Sequence, residues 1–246
     1  MEHKVIQSDC MEYLSSVSDN TFNAIVTSPP YNKGSNVHNS HFWHGVIDYD
    51  TYIDDMPDND YIIWQVNLLN ECYRVLKPNG SMFYNVKVIR RGGIARFPDY
   101  IFNSNFNLYQ MIVWDRGGAV DFNNRYLSPT TELIFWLVKD SPKVNKNAAI
   151  YKTEVWKIPP TKGMNHPATF PIELPYNCIL LTTDENDIVY DPFTGSGTTG
   201  VACKLLNRNF IGTEISENYV SIARKSIEIA RTDVKFGNQK QSKKLF

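Results

Sequence analysis

The sequence predicts an α/β fold, with one domain built on a mostly parallel central sheet and several inserted loops. Short apolar runs of strand length alternate along the chain with segments of helical period. A glycine-rich loop follows one of these runs, as in open α/β sheets that hold a ligand at their carboxyl edge. The chain has 246 residues, 42% of them hydrophobic, which suffices for one sizeable core. Length alone permits one domain or two, and we favour a single domain over 1–246.

The predicted elements follow this alternation in chain order. Residues 9–14 form a loop that enters a short helix, and residues 24–26 form a strand that ends at Pro29 and Pro30. Residues 61–76 place apolar side chains near one face of a helix, which Pro78 and Gly80 end. Further along the chain we predict strands at 81–88, 111–114, 133–138, 188–190 and 210–212, and helices at 171–181, 198–206 and 217–230, the last capped by Ser216.

Several segments interrupt this pattern. Residues 32–60 are polar and aromatic without a clear period, which predicts a mobile loop. Residues 139–165 are polar and basic, and we interpret them as an inserted recognition segment. The tail at 233–246 is predicted to be disordered.

Composition narrows the functional classes. No apolar run approaches the ~20 residues that a membrane span needs, and the first residues lack a secretory pattern. The four cysteines are scattered without metal-ligand spacing, which indicates reduced thiols and no metal site. We therefore expect a soluble, cytoplasmic protein.

Charge is unevenly distributed, although the formal net charge is only -1. Residues 1–60 contain two of the 25 basic residues and ten of the 26 acidic ones, which leaves 23 basic and 16 acidic residues beyond position 60. The resulting net charge of +7 over 61–246 permits a face that binds nucleic acid. Ordinary solvated surface charge explains any single lysine equally well.

The glycine-rich loop is the string DPFTGSGTTG at 191–200. Gly195, Gly197 and Gly200 satisfy the spacing G-x-G-x-x-G, in which glycine lets the backbone approach a ligand closely. Glu214 follows nineteen residues after the first glycine, near the end of a predicted strand, where a carboxylate can accept both ribose hydroxyls. This pattern predicts a cofactor with an adenosine-like part, and a purely structural turn is the alternative.

A nicotinamide dinucleotide is one candidate for that cofactor, and two observations argue against it. Only 46 residues follow Gly200, enough for one strand and one helix but too few for several further βαβ units. Asp191 and Phe193 place a carboxylate and an aromatic ring at the mouth of the preceding strand, which suits a cationic, phosphate-free adenosyl ligand. S-adenosylmethionine is such a ligand.

The string Ser28-Pro29-Pro30-Tyr31 predicts where the chemistry takes place. The exocyclic amino group of cytosine or adenine is conjugated with its ring, and it becomes nucleophilic when acceptors draw its hydrogens out of conjugation. Ser28 Oγ and the carbonyl of Pro29 are candidate acceptors, because two successive prolines lack amide donors and fix φ. Tyr31 offers a face for stacking the base, and a base inside a duplex must be flipped to reach such a site. A Pro-Pro turn with a packed Tyr is the structural alternative.

Together the two strings resemble the amino-directed DNA methyltransferases, in the β subgroup where the catalytic motif precedes the cofactor motif. The resemblance extends to 8–14 and 22–27, which precede the catalytic motif, to the helix-to-strand turn at 74–80, and to 166–171, which lines the methionine end of the cofactor in this family. It implies a single Rossmann-like, S-adenosylmethionine-dependent methyltransferase domain acting on double-stranded DNA. It also implies a cognate restriction endonuclease and a homodimer as partners.

The residues and the resemblance give three groups of candidate site residues. The catalytic group is Ser28, Pro29, Pro30 and Tyr31. The cofactor-binding group is Asp9, Cys10, His166, Pro167, Phe170, Asp191, Phe193, Gly195, Ser196, Gly197, Thr198 and Glu214. The resemblance implies that Asp9 approaches the adenine of the cofactor. The DNA-binding group, chosen by charge and position, is Lys33, His38, His41, Arg90, Arg91, Arg116, Arg125, Lys143, Lys146 and Lys162.

The sequence leaves alternatives open for the target base and for the class of substrate. In this family Ser at the first position of the catalytic string is associated with cytosine N4 and Asp with adenine N6, so we predict cytosine N4 and keep adenine N6 as the alternative. An RNA or protein-amide methyltransferase is a weaker alternative, because those enzymes usually place the cofactor motif first. A binding module without activity is disfavoured because both strings are present.

Overall fold

The structure is a computed structural model that describes residues 1–32, 54–91, 93–118, 126–148, 150–160 and 170–231. Most of the predicted loop at 32–60, the end of the predicted recognition segment at 139–165 and the predicted tail at 233–246 lie outside these residues.

Strands and helices alternate over much of the described chain. The strands are β1 (His3–Gln7), β2 (Phe22–Thr27), β3 (Leu76–Val86), β4 (Ile89–Arg91), β5 (Ile94–Arg96), β6 (Asn107–Asp115), β7 (Thr131–Val138), β8 (Val155–Lys157), β9 (Ile188–Asp191) and β10 (Asn209–Glu214). The helices are α1 (Cys10–Ser15), α2 (Asp58–Val75), α3 (Glu173–Thr182), α4 (Thr198–Leu205) and α5 (Glu217–Ile229), with a 3₁₀ helix at Asp99–Asn103.

Eight of these strands form one sheet in the order β1-β10-β9-β2-β3-β7-β6-β8, and β4 pairs with β5 in a separate hairpin. The strands from β1 to β3 in this order pair in parallel, whereas β7 runs antiparallel to both β3 and β6. The short β8 adds to β6 in parallel at the outer edge. The predicted α/β fold with a mostly parallel sheet is confirmed.

Helices cover both faces of the sheet. On one face α3, α4 and α5 pack over a core that includes Ala24 and Val26 of β2. On the other face α1, α2 and the 3₁₀ helix pack over a core that includes Phe22 and Ile25 of the same strand. Neighbouring side chains of a strand point to opposite faces, so both faces of β2 are buried. This double burial explains why β2 is nearly continuously apolar.

The boundary between α2 and β3 differs from the prediction. α2 begins at Asp58, inside the predicted loop, and this acidic residue stabilises the first turn through the helix dipole. β3 starts immediately after the helix, at Leu76. Its pairing with β2 shifts register in this stretch, so Pro78 and Gly80 lie in an irregular part of the strand and do not themselves end the helix.

The predicted recognition segment is partly built into the fold. Its strand β8 extends the sheet, and Trp156 and Ile158 are buried in the core shared with α3, α4 and α5. Val155 and Lys157 are exposed on either side of Trp156, so the segment contains an edge strand with one buried side chain between two exposed ones.

In the part of the chain that the structure describes, no helix is long and apolar enough to cross a membrane. The four cysteines are free thiols, and all four are buried.

Candidate active site

Two loops leave adjacent strands at the carboxyl edge of the sheet. β2 leads into the Ser28 string, β9 leads into the glycine-rich loop, and the two strands pair directly. The Thr27 hydroxyl donates a hydrogen bond of 2.7 Å to Asp191 Oδ1 and joins the two loops at their base. The helices that follow these loops, α2 and α4, pack on opposite faces of the sheet. The loops thus flank a topological switch point, where open α/β sheets bind their ligands.

Asp191 lies beneath the glycine-rich loop, with 1% of its surface exposed. Its Oδ1 accepts hydrogen bonds from Thr27 and, at 3.0 Å, from the Phe193 amide, and its Oδ2 accepts one of 2.6 Å from Thr199. Burial raises the pKa of Asp191 to about 6, although these hydrogen bonds favour the charged form. The carboxylate therefore joins the two loops from within the fold. The sequence had suggested that it faces a ligand at the end of the strand.

The Asp191→Asn variant should reveal the cost of this buried charge. An unfolded Asp titrates near pH 3.9, so between about pH 4 and the folded pKa of about 6 the folded protein keeps a proton that the unfolded chain has lost. The free energy of unfolding of the wild type therefore falls as pH rises through this window, by up to about 3 kcal/mol from this group. Asn does not titrate, and its variant lacks this contribution. Urea unfolding of both proteins from pH 4 to 7 measures the difference, and parallel pH profiles would contradict it.

The glycine-rich loop adopts a backbone that favours glycine. Gly195 and Gly197 have φ values of +50° and +89°, in the left-handed region. The Gly195 amide donates a hydrogen bond of 2.9 Å to Glu214 Oε2, and the Ser216 amide donates one of 3.0 Å to Oε1. Burial raises the pKa of Glu214. Each of its carboxylate oxygens keeps a further lone pair that can accept a ligand hydroxyl.

Asp9 lies at the neighbouring strand end, beside Glu214. β1 pairs with β10, and the Ser8 amide donates a hydrogen bond of 3.1 Å to the Glu214 carbonyl. The Asp9 side chain is exposed and caps α1 by accepting two backbone amides. The next residue, Cys10, is 3% exposed and lies in the core under α1 and α2.

The remaining described members of the cofactor-binding group surround the loop or support it. Phe193 is half-buried and packs against Trp64 of α2, with ring centroids 5.8 Å apart. Ser196 and Thr198 are half-buried at the start of α4. Phe170 packs against the core on the face of α3, α4 and α5.

The catalytic string is held from below by α2. The Pro30 carbonyl accepts hydrogen bonds from Tyr61 Oη at 2.8 Å and from Gln65 Nε2 at 3.4 Å. Gln65 is fully buried and also hydrogen-bonds to Tyr61 and Tyr84. The Pro30 carbonyl is therefore occupied inside the protein, which favours the Pro29 carbonyl as the one that meets a ligand.

Ser28 and Tyr31 belong to a polar cluster that the sequence did not indicate. Ser28 Oγ lies 2.7 Å from Tyr31 Oη, which lies 3.3 Å from Glu132 Oε2. Asn85 Nδ2 lies 3.4 Å from Ser28 Oγ, 2.9 Å from Tyr31 Oη and 3.0 Å from Glu132 Oε2. Arg116 pairs with Glu132 Oε1 at 3.1 Å. We call these five residues the Glu132 cluster.

The direction of β7 explains why Glu132 was missed. β7 is antiparallel to β3, so its first residues meet the last residues of β3 at the carboxyl edge, with Leu133 paired to Val86. A parallel strand would have carried Glu132 to the opposite edge. The signal in the sequence was the segment at 115–130, which has no helical period, whereas a parallel crossover usually contains a helix.

The described arginines of the DNA-binding group, Arg90, Arg91 and Arg116, lie at the carboxyl edge or just beyond it. Arg90 is exposed, and its guanidinium lies 4.4 Å from the centroid of the Tyr126 ring. Arg91 forms ion pairs with Asp55 and Asp58, which neutralise its charge locally. Arg116 belongs to the Glu132 cluster, so its guanidinium is engaged within the site.

The described lysines of this group, Lys143 and Lys146, lie elsewhere. The Lys143 amide donates to the Asn79 carbonyl and its side chain pairs with Asp184, just before β9. These contacts place Lys143 at the amino edge of the sheet, and the exposed Lys146 follows it closely in the chain. The structure does not bring either lysine together with Ser28. The candidates outside the described residues are Lys33, His38, His41, Arg125, Lys162, His166 and Pro167.

A glycine-rich loop beside paired acceptors suits methyl transfer to an amino group, and the fold agrees with that class. The chain superposes on the PvuII DNA methyltransferase (cytosine-N4-specific) with a TM-score of 0.76 at 20% identity, over 96% of this chain and 89% of that one. It superposes on M1.HpyAVI in complex with SAM with a TM-score of 0.60 at 25% identity, over 92% of this chain and 99% of that one. The fold is that of the S-adenosylmethionine-dependent methyltransferases.

Sequence comparison gives the family. The model of the DNA methylase family matches residues 22–225, and the chain belongs to this family. The Type II methyltransferase M.BglII of Bacillus subtilis is 31% identical over 261 residues, which cover 90% of this chain and 68% of that protein. The protein is thus a DNA methyltransferase of the cytosine-N4 or adenine-N6 type that uses S-adenosylmethionine, and the predicted class and cofactor are confirmed.

Proposed function

We propose that this protein is a site-specific methyltransferase of the β subgroup that modifies cytosine N4 in double-stranded DNA. The proposal rests mainly on the Ser28 hydroxyl, which follows β2 beside the glycine-rich loop. The catalytic string precedes the cofactor loop, as in the β subgroup. Ser at this position is associated with cytosine N4 in the family. Adenine N6 is the second candidate, because the family covers both amino groups and the same acceptors suit either.

In this proposal Ser28 Oγ and the Pro29 carbonyl accept the two hydrogens of the target amino group. These hydrogen bonds draw the hydrogens out of conjugation, so that the nitrogen lone pair is free to attack. A neutral hydroxyl is a poor base at pH 7, so the site acts by orientation and by hydrogen bonding more than by proton abstraction. The Pro30 carbonyl, clamped by Tyr61 and Gln65, keeps the string rigid.

The described residues at the ends of β9, β10 and β1 are suited to hold the methyl donor. Glu214 receives the ribose hydroxyls through its remaining lone pairs, and the exposed Asp9 is available to the adenine edge. The glycine-rich loop offers backbone without side chains where the ligand comes closest. S-adenosylmethionine supplies an electrophilic methyl group on its sulfonium. The task of the chain is to align the amino nitrogen with that methyl group and to exclude water.

DNA binding in this proposal requires the target base to leave the duplex and enter the Glu132 cluster. Arg90 is the described basic residue best placed for a phosphate contact, because it is exposed near the catalytic string. A cognate restriction endonuclease and a homodimeric assembly complete the proposal, in keeping with the family resemblance.

Nucleoside analysis tests the proposed base. The protein is incubated with unmethylated duplex DNA of varied sequence and labelled S-adenosylmethionine, and the digested nucleosides are identified by mass spectrometry. We expect N4-methylcytosine. If N6-methyladenine is the only methylated base, the target is adenine N6 and not cytosine N4. Label found in RNA or protein but not in DNA would overturn the proposal.

A further inference from the structure

The Glu132 cluster contains a chain of hydrogen bonds with a defined direction. Glu132 is 9% exposed, and its carboxylate can only accept. Tyr31 Oη, at 3.3 Å from Oε2, must therefore donate its single proton to make this contact. The Ser28 hydroxyl, 2.7 Å from Tyr31 Oη, then has to be the donor of the bond between them.

Asn85 reinforces the same direction. Its Nδ2 group donates to Glu132 Oε2 and lies 2.9 Å from Tyr31 Oη, which it can approach only as a donor. A lone pair of Tyr31 Oη is thus engaged by Asn85, and its proton is drawn to the carboxylate because charge-assisted hydrogen bonds are the stronger ones. Arg116 pairs with the other carboxylate oxygen, Oε1, at 3.1 Å, so both oxygens of Glu132 are held within the cluster.

We propose that Glu132 is a positioning residue that acts through Tyr31 on Ser28. By fixing the proton of Tyr31, it turns the Ser28 hydroxyl proton towards Tyr31. A lone pair of Ser28 Oγ, beside the one that Asn85 Nδ2 approaches at 3.4 Å, is then directed to the target amino group. Tyr31 then contributes a hydroxyl group that Phe would lack, in addition to a face for stacking. This inference rests on the proposed role of Ser28 as an acceptor.

The cost of the cluster supports a functional origin. Two of its buried atoms, Asn85 Oδ1 and Arg116 Nε, have no hydrogen-bond partner among the described residues. Each unsatisfied buried polar group lowers the free energy of unfolding. An apolar set of side chains would avoid that cost at the mouth of the sheet. Strained or unsatisfied groups of this kind are typical of places where function overrides stability.

A double-mutant cycle tests the inference, with initial rates of methyl transfer measured on duplex DNA. We expect Glu132→Gln to lower kcat about 10- to 100-fold, because an amide can donate and no longer sets the direction of the Tyr31 proton. KM for S-adenosylmethionine should stay within about twofold. Tyr31→Phe should lower kcat by a similar factor.

The double variant distinguishes positioning from independent contributions. If Glu132 acts only through Tyr31, adding Glu132→Gln to Tyr31→Phe lowers kcat no further. Losses that multiply would overturn the inference, as would an unchanged kcat in Glu132→Gln. Glu71→Gln is the matched control, since Glu71 also pairs with an arginine, Arg74, which lies on the side of α2 towards α1 and donates to the Leu14 carbonyl, and it should leave kcat unchanged.

Two further measurements keep the outcome decisive. Thermal unfolding checks that each variant folds. If Glu132→Gln does not fold, Glu132→Asp replaces it, because its shorter side chain also loses the hydrogen bond from Tyr31. A wild-type protein that methylates no base in DNA would refute the proposed function, and this inference would fall with it. Multiplying losses in a protein that does methylate DNA would refute this inference alone.

Discussion

Replacing Ser28 by Ala should lower kcat about 10²- to 10³-fold and leave the affinity for S-adenosylmethionine nearly unchanged. The hydroxyl is half-buried at the end of β2, and in the proposed mechanism it accepts a hydrogen from the target amino group in the transition state. An interaction made mainly in the transition state affects kcat more than KM. The methyl side chain also leaves Tyr31 without its donor at 2.7 Å, so the remaining cluster loses its link to the substrate.

Single-turnover rates on duplex DNA and equilibrium titration with the cofactor measure the two quantities separately. Ser15→Ala is a suitable control, because Ser15 also hydrogen-bonds through its hydroxyl, to the Glu12 carbonyl, but lies at the end of α1. It should keep the wild-type rate. A Ser28→Ala variant that retains more than half of the wild-type kcat would show that Ser28 is not the acceptor.

Gly197→Ala should have the largest effect on cofactor binding. Gly197 has a φ of +89°, and a Cβ there would lie 2.9 Å from Ala223 Cα in the backbone of α5. The strained φ and the clash together should lower the free energy of unfolding by about 2–4 kcal/mol. Relief of the clash requires the loop to move away from α5, which changes the position of the Gly195 amide on Glu214. We therefore expect affinity for S-adenosylmethionine to fall at least about tenfold.

Gly118→Ala is the matched control for this variant. Gly118 lies in a loop after β6, where a Cβ would meet nothing within 4 Å. Its substitution should change neither the midpoint of urea unfolding nor cofactor affinity measured by calorimetry. If Gly197→Ala binds S-adenosylmethionine with wild-type affinity, the loop tolerates a side chain at this position and α5 moves instead.

The sequence predicted the two loops correctly because each is a short local pattern after an apolar strand. Their proximity also followed, since the carboxyl ends of parallel strands share one edge. The sequence did not reveal that the Asp191 carboxylate faces inward. That orientation depends on Thr27 and Thr199, which join it through hydrogen bonds across 164 and eight residues of chain.

Glu132 and Asn85 were missed for a different physical reason. Each is one polar residue at the end of an apolar run, and neither carries a local motif. Their role depends on the antiparallel pairing of β7 with β3, which the sequence pattern left undetermined. Composition alone suggested a DNA-facing segment around Lys143 and Lys146, whose role in DNA binding stays a prediction. It did not indicate that Lys143 pairs with Asp184 at the amino edge of the sheet.

The order of strands in the sheet also sets the order in which parts of the enzyme can fold during translation. β2 has β3 on one side, supplied about fifty residues later, and β9 on the other, supplied about 165 residues later. Contacts between neighbouring segments form before distant ones, because closing a long loop costs more entropy. The half that carries Ser28, Asn85 and Glu132 can therefore assemble while the half that carries Gly197 and Glu214 is still being synthesised. The nascent chain thus acquires the surroundings of Ser28 first, and its glycine-rich loop is in place only after β9 has paired with β2 and β10 has paired with β9 and β1.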